Sequence, residues 1–90
     1  MTNEFMRERA LQRKYPIGTK GKISPKDDQT LTHLLIRGWE PSFVVTVELA
    51  YISAESVDCL HLRWGVGQDD WAGVLSEGFE PIEMNKTSII

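Results

Sequence analysis

Phe43-Val44-Val45-Thr46-Val47-Glu48-Leu49-Ala50-Tyr51-Ile52 decides the fold class. Phe43, Val45, Val47, Leu49 and Tyr51 alternate with Val44, Thr46, Glu48, Ala50 and Ile52, and only an extended chain turns such an alternation into two faces. The stretch therefore predicts a long, half-buried strand. Ser53-Ala54-Glu55-Ser56 supplies a turn, after which Leu60, Leu62 and Trp64 alternate with Cys59, His61 and Arg63 on a second strand. Gly65-Val66-Gly67-Gln68-Asp69-Asp70 makes a second turn and Trp71–Leu75 a third strand. After Ser76-Glu77-Gly78, Phe79 and Ile82 anchor a last short element. Strands joined by turns this short pair antiparallel.

Working back from Phe43, residues 25–42 are less regular. Leu31, Leu34 and Leu35 fall at helical spacing, Asp27, Asp28 and Thr30 supply N-terminal capping and charge, Arg37 suits the last turn and Gly38 the position after it. These predict a helix of about two turns. A strand through residues 32–37 is the competing reading. Ile17-Gly18-Thr19-Lys20-Gly21-Lys22-Ile23 reads as a turn and a short strand closed by Ser24-Pro25. Residues 1–14 hold good helix formers, with Phe5, Met6, Ala10 and Leu11 on one face and Arg7, Arg9 and Arg13 elsewhere. The helix should end before Tyr15-Pro16, because a residue preceding proline resists the helical region.

Ninety residues make one domain near the lower limit of what a single core stabilises unaided. With 41% hydrophobic and 26% charged residues the composition is that of a globular chain. Cys59 is the one cysteine, which excludes an intrachain disulfide and suits a reducing, cytoplasmic setting. No apolar run approaches the roughly 20 residues that cross a bilayer, and no signal peptide is expected behind Met1-Thr2-Asn3-Glu4.

Charge divides unevenly. Residues 1–37 carry eight Lys or Arg against four Asp or Glu, a balance of +4, and the remainder carries two against nine, a balance of −7. Such a division predicts two electrostatic faces.

Gly18-Thr19-Lys20-Gly21-Lys22-Ile23, Leu60-His61-Leu62-Arg63-Trp64, and Trp71-Ala72-Gly73-Val74-Leu75 with Phe79-Glu80-Pro81-Ile82 together resemble the SH3-like small barrels, among them the KOW, Tudor and related bacterial and phage domains. The resemblance covers about half the chain and implies a mainly β, SH3-like small barrel over residues 15–84. Residues 1–14 form its N-terminal helix, residues 25–42 a helical insertion longer than the usual connection, and residues 85–90 a flexible tail.

KOW-like barrels bind nucleic acid, which requires convergent cations, because counterion release supplies most of the affinity. The barrel half has Arg63 alone, so nucleic acid is an unfavoured partner there. A nucleic-acid module would have to use Arg7, Arg9, Arg13, Lys14, Lys20 and Lys22. The carboxylates suit the opposite role. Asp69, Asp70, Glu77, Glu80 and Glu83 lie in or near turns and could form one edge that enters a basic groove on a larger protein. Phage-encoded inhibitors of host enzymes have this character: small, acidic and without catalytic motifs.

Of the tryptophans, Trp64 continues the alternation of Leu60 and Leu62 into the core. Trp71 should be half exposed. Trp39, in Gly38-Trp39-Glu40-Pro41, is the expected exposed anchor, since interface tryptophans carry much binding energy. The expected partner-binding set is thus Trp39, Glu40, Asp69, Asp70, Trp71, Glu77 and Glu80.

No catalytic residue, cofactor or metal is expected. Cys59 and His61 fall short of the four ligands of a structural zinc, and no oriented nucleophile and base stand together. Gly65-Val66-Gly67 is not followed by a helix, so it is no dinucleotide fingerprint. The sequence predicts a non-enzymatic protein-binding module, a small phage or bacterial regulator or inhibitor. The alternatives are a KOW-like nucleic-acid module and a homo-oligomeric subunit joined through the N-terminal helix.

Overall fold

A computed structural model describes residues 3–82. It is mainly β: α1 (Asn3–Lys14), β1 (Lys20–Ile23), α2 (Asp28–Ile36), β2 (Val45–Ile52), β3 (Asp58–Arg63), β4 (Trp71–Leu75), a 3-10 turn (Ser76–Gly78) and β5 (Phe79–Pro81). The strands form one antiparallel sheet in the order β4-β3-β2-β1-β5. Val45, Val47, Ala50, Leu60, Leu62, Ala72 and Val74 line its inner face, and Ile23, Leu34, Trp39, Phe79, Leu11 and Tyr15 close the core around them. The tail 85–90, and Glu83 in the expected acidic edge, lie outside the described residues.

The two-residue period of β2 holds only as far as Val47. The pairing with β3 shifts between Val47, opposite Leu62, and Leu49, opposite His61, so Glu48 is an extra residue in a β-bulge. Beyond it the faces exchange: Ala50 is buried and Ile52 packs on the core, while Leu49 is 44% exposed. Leu49 and Tyr51 therefore belong to the outer face, against the strict alternation.

α2 forms as its spacing predicts, and the strand reading of residues 32–37 is excluded. Asp27 is the N-cap, its carboxylate accepting the Thr30 N–H at 2.7 Å. Leu34 is fully buried and Leu31 packs on the core, but Leu35 faces outward. The helix ends at Gly38, whose φ is +94°. The Gly38 N–H returns to the Leu35 carbonyl and the Trp39 N–H to the Leu34 carbonyl, each at 3.0 Å, the two bonds of a Schellman motif.

That motif corrects the expectation for Trp39. The turn folds residue 39 back onto Leu34, and Trp39 ends 1% exposed, in the core and not at the surface. Trp64, taken for the core, is partly buried and packs against it. α1 ends at Lys14 as expected, yet only Leu11 of its four apolar residues is buried; Phe5, Met6 and Ala10 face outward. The helix leans on β2 with its second half, where the Gln12 side chain donates to the Ala50 carbonyl at 3.1 Å and Tyr15 meets the Phe79 ring edge-on. No helix among the described residues is long and apolar enough to cross a membrane.

Candidate functional site

The residues expected to bind a partner do not form one edge. Asp69, Asp70 and Trp71 sit where β4 begins, and Glu77 lies beyond its far end, roughly 13 Å away at about 3.3 Å per residue. There Glu77 shares a bowl of about 310 Å³ with Arg7 and Asp58. Glu80 is on β5, at the opposite edge of the sheet and in register with Lys22. Glu40 is exposed in the α2–β2 connection, and Trp39 is buried. Only the Asp69–Trp71 group survives as a cluster, and it belongs to the turn between β3 and β4.

That turn is held from within. The Trp64 N–H donates to the Asp70 carbonyl at 3.0 Å, and the Asp70 N–H to the Gly67 carbonyl at 3.2 Å. The Asp70 carboxylate folds back under the turn and accepts the Gly67 N–H at 2.9 Å. Asp70 is thus a structural ligand of the turn and not a free docking charge. Its carboxylate sits so close beneath Gly65 and Gly67 that a Cβ on either would have to displace it. From the sheet side, Arg63 Nη1 donates to the Gly65 and Gly67 carbonyls at 3.2 and 2.8 Å. From the α2 side, Arg37 Nη2 donates to the Asp69 carbonyl at 3.4 Å.

What remains turned outward is Val66, fully exposed, followed by Gln68 and the carboxylate of Asp69. An aliphatic side chain wholly in water gains by burial against another surface. Here it stands on a backbone with little freedom left to lose. Sequence reasoning passed over Val66; the signal that could have found it is its place between two glycines at the middle of a hairpin turn.

Trp71 borders this site but is largely occupied. His61 stacks on it from the β3 side with ring centroids 4.4 Å apart and planes inclined at 21°. From the α2 side the Arg37 guanidinium lies 4.8 Å from the ring centroid, while its Nε donates to the Trp71 carbonyl at 2.8 Å. Little of the ring is left for a ligand to stack on.

Glu48 organises the outer face beside it. Its Oε2 accepts Arg63 Nε at 2.7 Å, and its Oε1 is 3.2 Å from His61 Nε2, an approach that makes no hydrogen bond and becomes an ion pair only when the imidazole is protonated. Further along, the Tyr51 hydroxyl lies over Gly73, where any side chain would strike it. Burial, and then the neighbouring Cys59, raise the Tyr51 phenol above its ordinary value. His33 and Cys59 line an open groove of about 360 Å³ between α2 and this face. Among the described residues no three His, Cys, Asp or Glu side chains gather as a metal site would need.

The basic segment is partly committed to internal contacts. Arg7 pairs with Asp58 at 2.9 Å and donates to the Ser56 carbonyl, and Lys20 donates to the Thr46 hydroxyl at 3.1 Å. Arg9 lies over Phe5 and Lys14 over Tyr15. Comparison with protein-family models, with curated proteins and with solved structures returned no match.

Proposed function

We propose that this chain is a non-enzymatic protein-binding module of SH3-like barrel type that docks on a larger protein through the β3–β4 turn. The strand order β4-β3-β2-β1-β5, with a 3-10 turn leading into β5, supports the barrel reading. The observation that carries the docking reading is Val66, fully exposed on a turn braced by Arg63, Asp70 and Arg37. A preorganised element loses little conformational entropy on binding, so a small apolar contact there converts more fully into affinity. Asp69 beside it favours a partner with a basic rim, which steers encounter and fixes orientation. Glu77 and Glu80 are too far round the molecule to share that contact. In this reading the protein works in the cytoplasm as a small regulator or inhibitor, of phage or bacterial kind, of the protein it engages.

The test is capture from a lysate of the source cells on immobilised full-length chain, read by quantitative mass spectrometry. A cognate partner should be retained by wild type and by Glu80→Lys, and lost at least tenfold by Val66→Asp and by Asp69→Lys. Equal retention by all four forms would sink the proposal.

A second reading, self-association through α1, is favoured by the exposure of Phe5 (61%) and Met6 (63%) on one helix. Sedimentation should then show a concentration-dependent species that Phe5→Glu with Met6→Glu abolishes. An unchanged sedimentation coefficient in that double variant rejects it.

A further inference from the structure

We infer that Glu48, two strands from β4 and outside the β3–β4 turn, is a positioning residue of that turn, setting through Arg63 the shape in which Val66 and Asp69 are presented. The inference rests on the docking reading for its significance, but its geometry stands apart from it.

Glu48 is the unpaired residue of the β2 bulge: Val47 faces Leu62 and Leu49 faces His61, and nothing on β3 is opposite Glu48. Bulges re-aim a side chain, and this one delivers a carboxylate to the outer face beside Arg63. Its Oε2 takes the Arg63 Nε at 2.7 Å. A guanidinium is a planar fork, so fixing Nε against a carboxylate fixes the direction of the remaining donors. Nη1 then reaches two turn carbonyls at once, Gly65 at 3.2 Å and Gly67 at 2.8 Å.

Gly67 is consequently clamped at both of its backbone groups. Asp70 holds its N–H through the carboxylate, and Arg63 holds its carbonyl beside the Asp70 N–H. The first clamp is local to the turn. The second is controlled from β2, because without Glu48 the guanidinium loses the anion that orients it and turns toward water. Charge-assisted hydrogen bonds such as Glu48–Arg63 are about twice as strong as neutral ones, so their removal is felt at the next link. The group facing Glu48 on its other side is His61, itself stacked on Trp71, with its Nε2 3.2 Å from Glu48 Oε1.

Amide hydrogen exchange by NMR on the full chain tests this without any partner. Glu48→Ala should speed exchange at the Gly67 and Asp70 amides about tenfold and leave Leu60 and Leu62 in β3 as they are. Glu48→Gln, whose neutral oxygen still accepts from Nε, should recover part of the protection. Arg63→Lys, which cannot span two carbonyls while holding Glu48, should match Glu48→Ala, and the double variant should be no faster than either. The inference is overturned if Gly67 and Asp70 exchange as in wild type. It is equally overturned if they accelerate only in parallel with Leu60 and Leu62, since the turn would then loosen with the whole fold. Val66→Asp bears on docking alone, so the two ideas fail separately.

Discussion

The Trp39 N–H donates to the Leu34 carbonyl at 3.0 Å, and the same turn brings the two side chains together out of solvent. Trp39 thereby holds the long α2–β2 connection against the core. Its indole N–H finds no acceptor among the described residues, which makes it a buried donor left unmet.

Substitutions at Trp39 should act on stability. Trp39→Ala is expected to cost about 3–5 kcal/mol, the usual range for emptying a buried aromatic site. Trp39→Phe should cost much less, because it keeps a buried ring in the site, while both substitutions remove the unmet donor, whose burial costs roughly 1–3 kcal/mol. Chemical denaturation of the two variants checks this; equal losses would show that ring packing is not what Trp39 contributes.

Two glycines should respond to alanine for different reasons. At Gly38 a Cβ would meet no atom within 4 Å, so Gly38→Ala loses only what a left-handed backbone costs an L-residue, about 1–2 kcal/mol. At Gly67 a Cβ would sit 2.7 Å from an Asp70 carboxylate oxygen. Gly67→Ala must therefore displace Asp70 and open the turn. Combining Asp70→Ala with Gly67→Ala should recover part of the loss, as a double-mutant cycle would show, whereas nothing should rescue Gly38→Ala.

Stability should fall at both pH extremes through identifiable groups. The Thr30 backbone amide, and then its side chain, hold the Asp27 carboxyl below its ordinary value. Asp27 therefore contributes stability above the ordinary carboxylate range, which is lost as pH falls through its lower folded value. Asp27→Asn, which still caps, should flatten that acid limb. Tyr51 has the opposite sign: burial raises its phenol, so its contribution is present below 10.0 and is lost as pH rises through the higher folded value. Tyr51→Phe should flatten the alkaline limb of a thermal-melt series.

Arg7 ties α1 to the β2–β3 turn through Asp58 and Ser56, with both charged side chains about two-fifths exposed. Solvent screens such a pair, so Arg7→Ala should lower global stability by about 0.2–1 kcal/mol. The larger effect should be local: amides in the first two turns of α1 should exchange faster while those from Leu11 onward keep their protection.

The strands were legible because their alternation is strong and their turns carry glycine and serine. α2 was legible from Asp27 and Gly38. Trp39 was misread although its signal was present: a glycine in the C′ position followed by a large apolar residue is the Schellman pattern, and that residue packs back onto the helix. The bulge at Glu48 left no such mark, since Glu48-Leu49-Ala50 fits an unbroken strand as well as a shifted one. Only the tertiary requirement that Ala50 and Leu60 meet on the inner face selects the shift. For the carboxylates, nearness in sequence to a turn carried no information about which end of the sheet that turn occupies.

The margins of the sheet are each obstructed. Arg37 from α2 takes up the Trp71 carbonyl of β4, and β5 is three residues long and ends in proline. Exposed margins invite other chains to pair with them. Loosening α2 would therefore do more than weaken the fold, since it would free the Trp71 carbonyl at the β4 margin. Variants such as Leu34→Ala should then reveal themselves first as concentration-dependent fibrils or precipitate, before their circular dichroism shows any loss of strand.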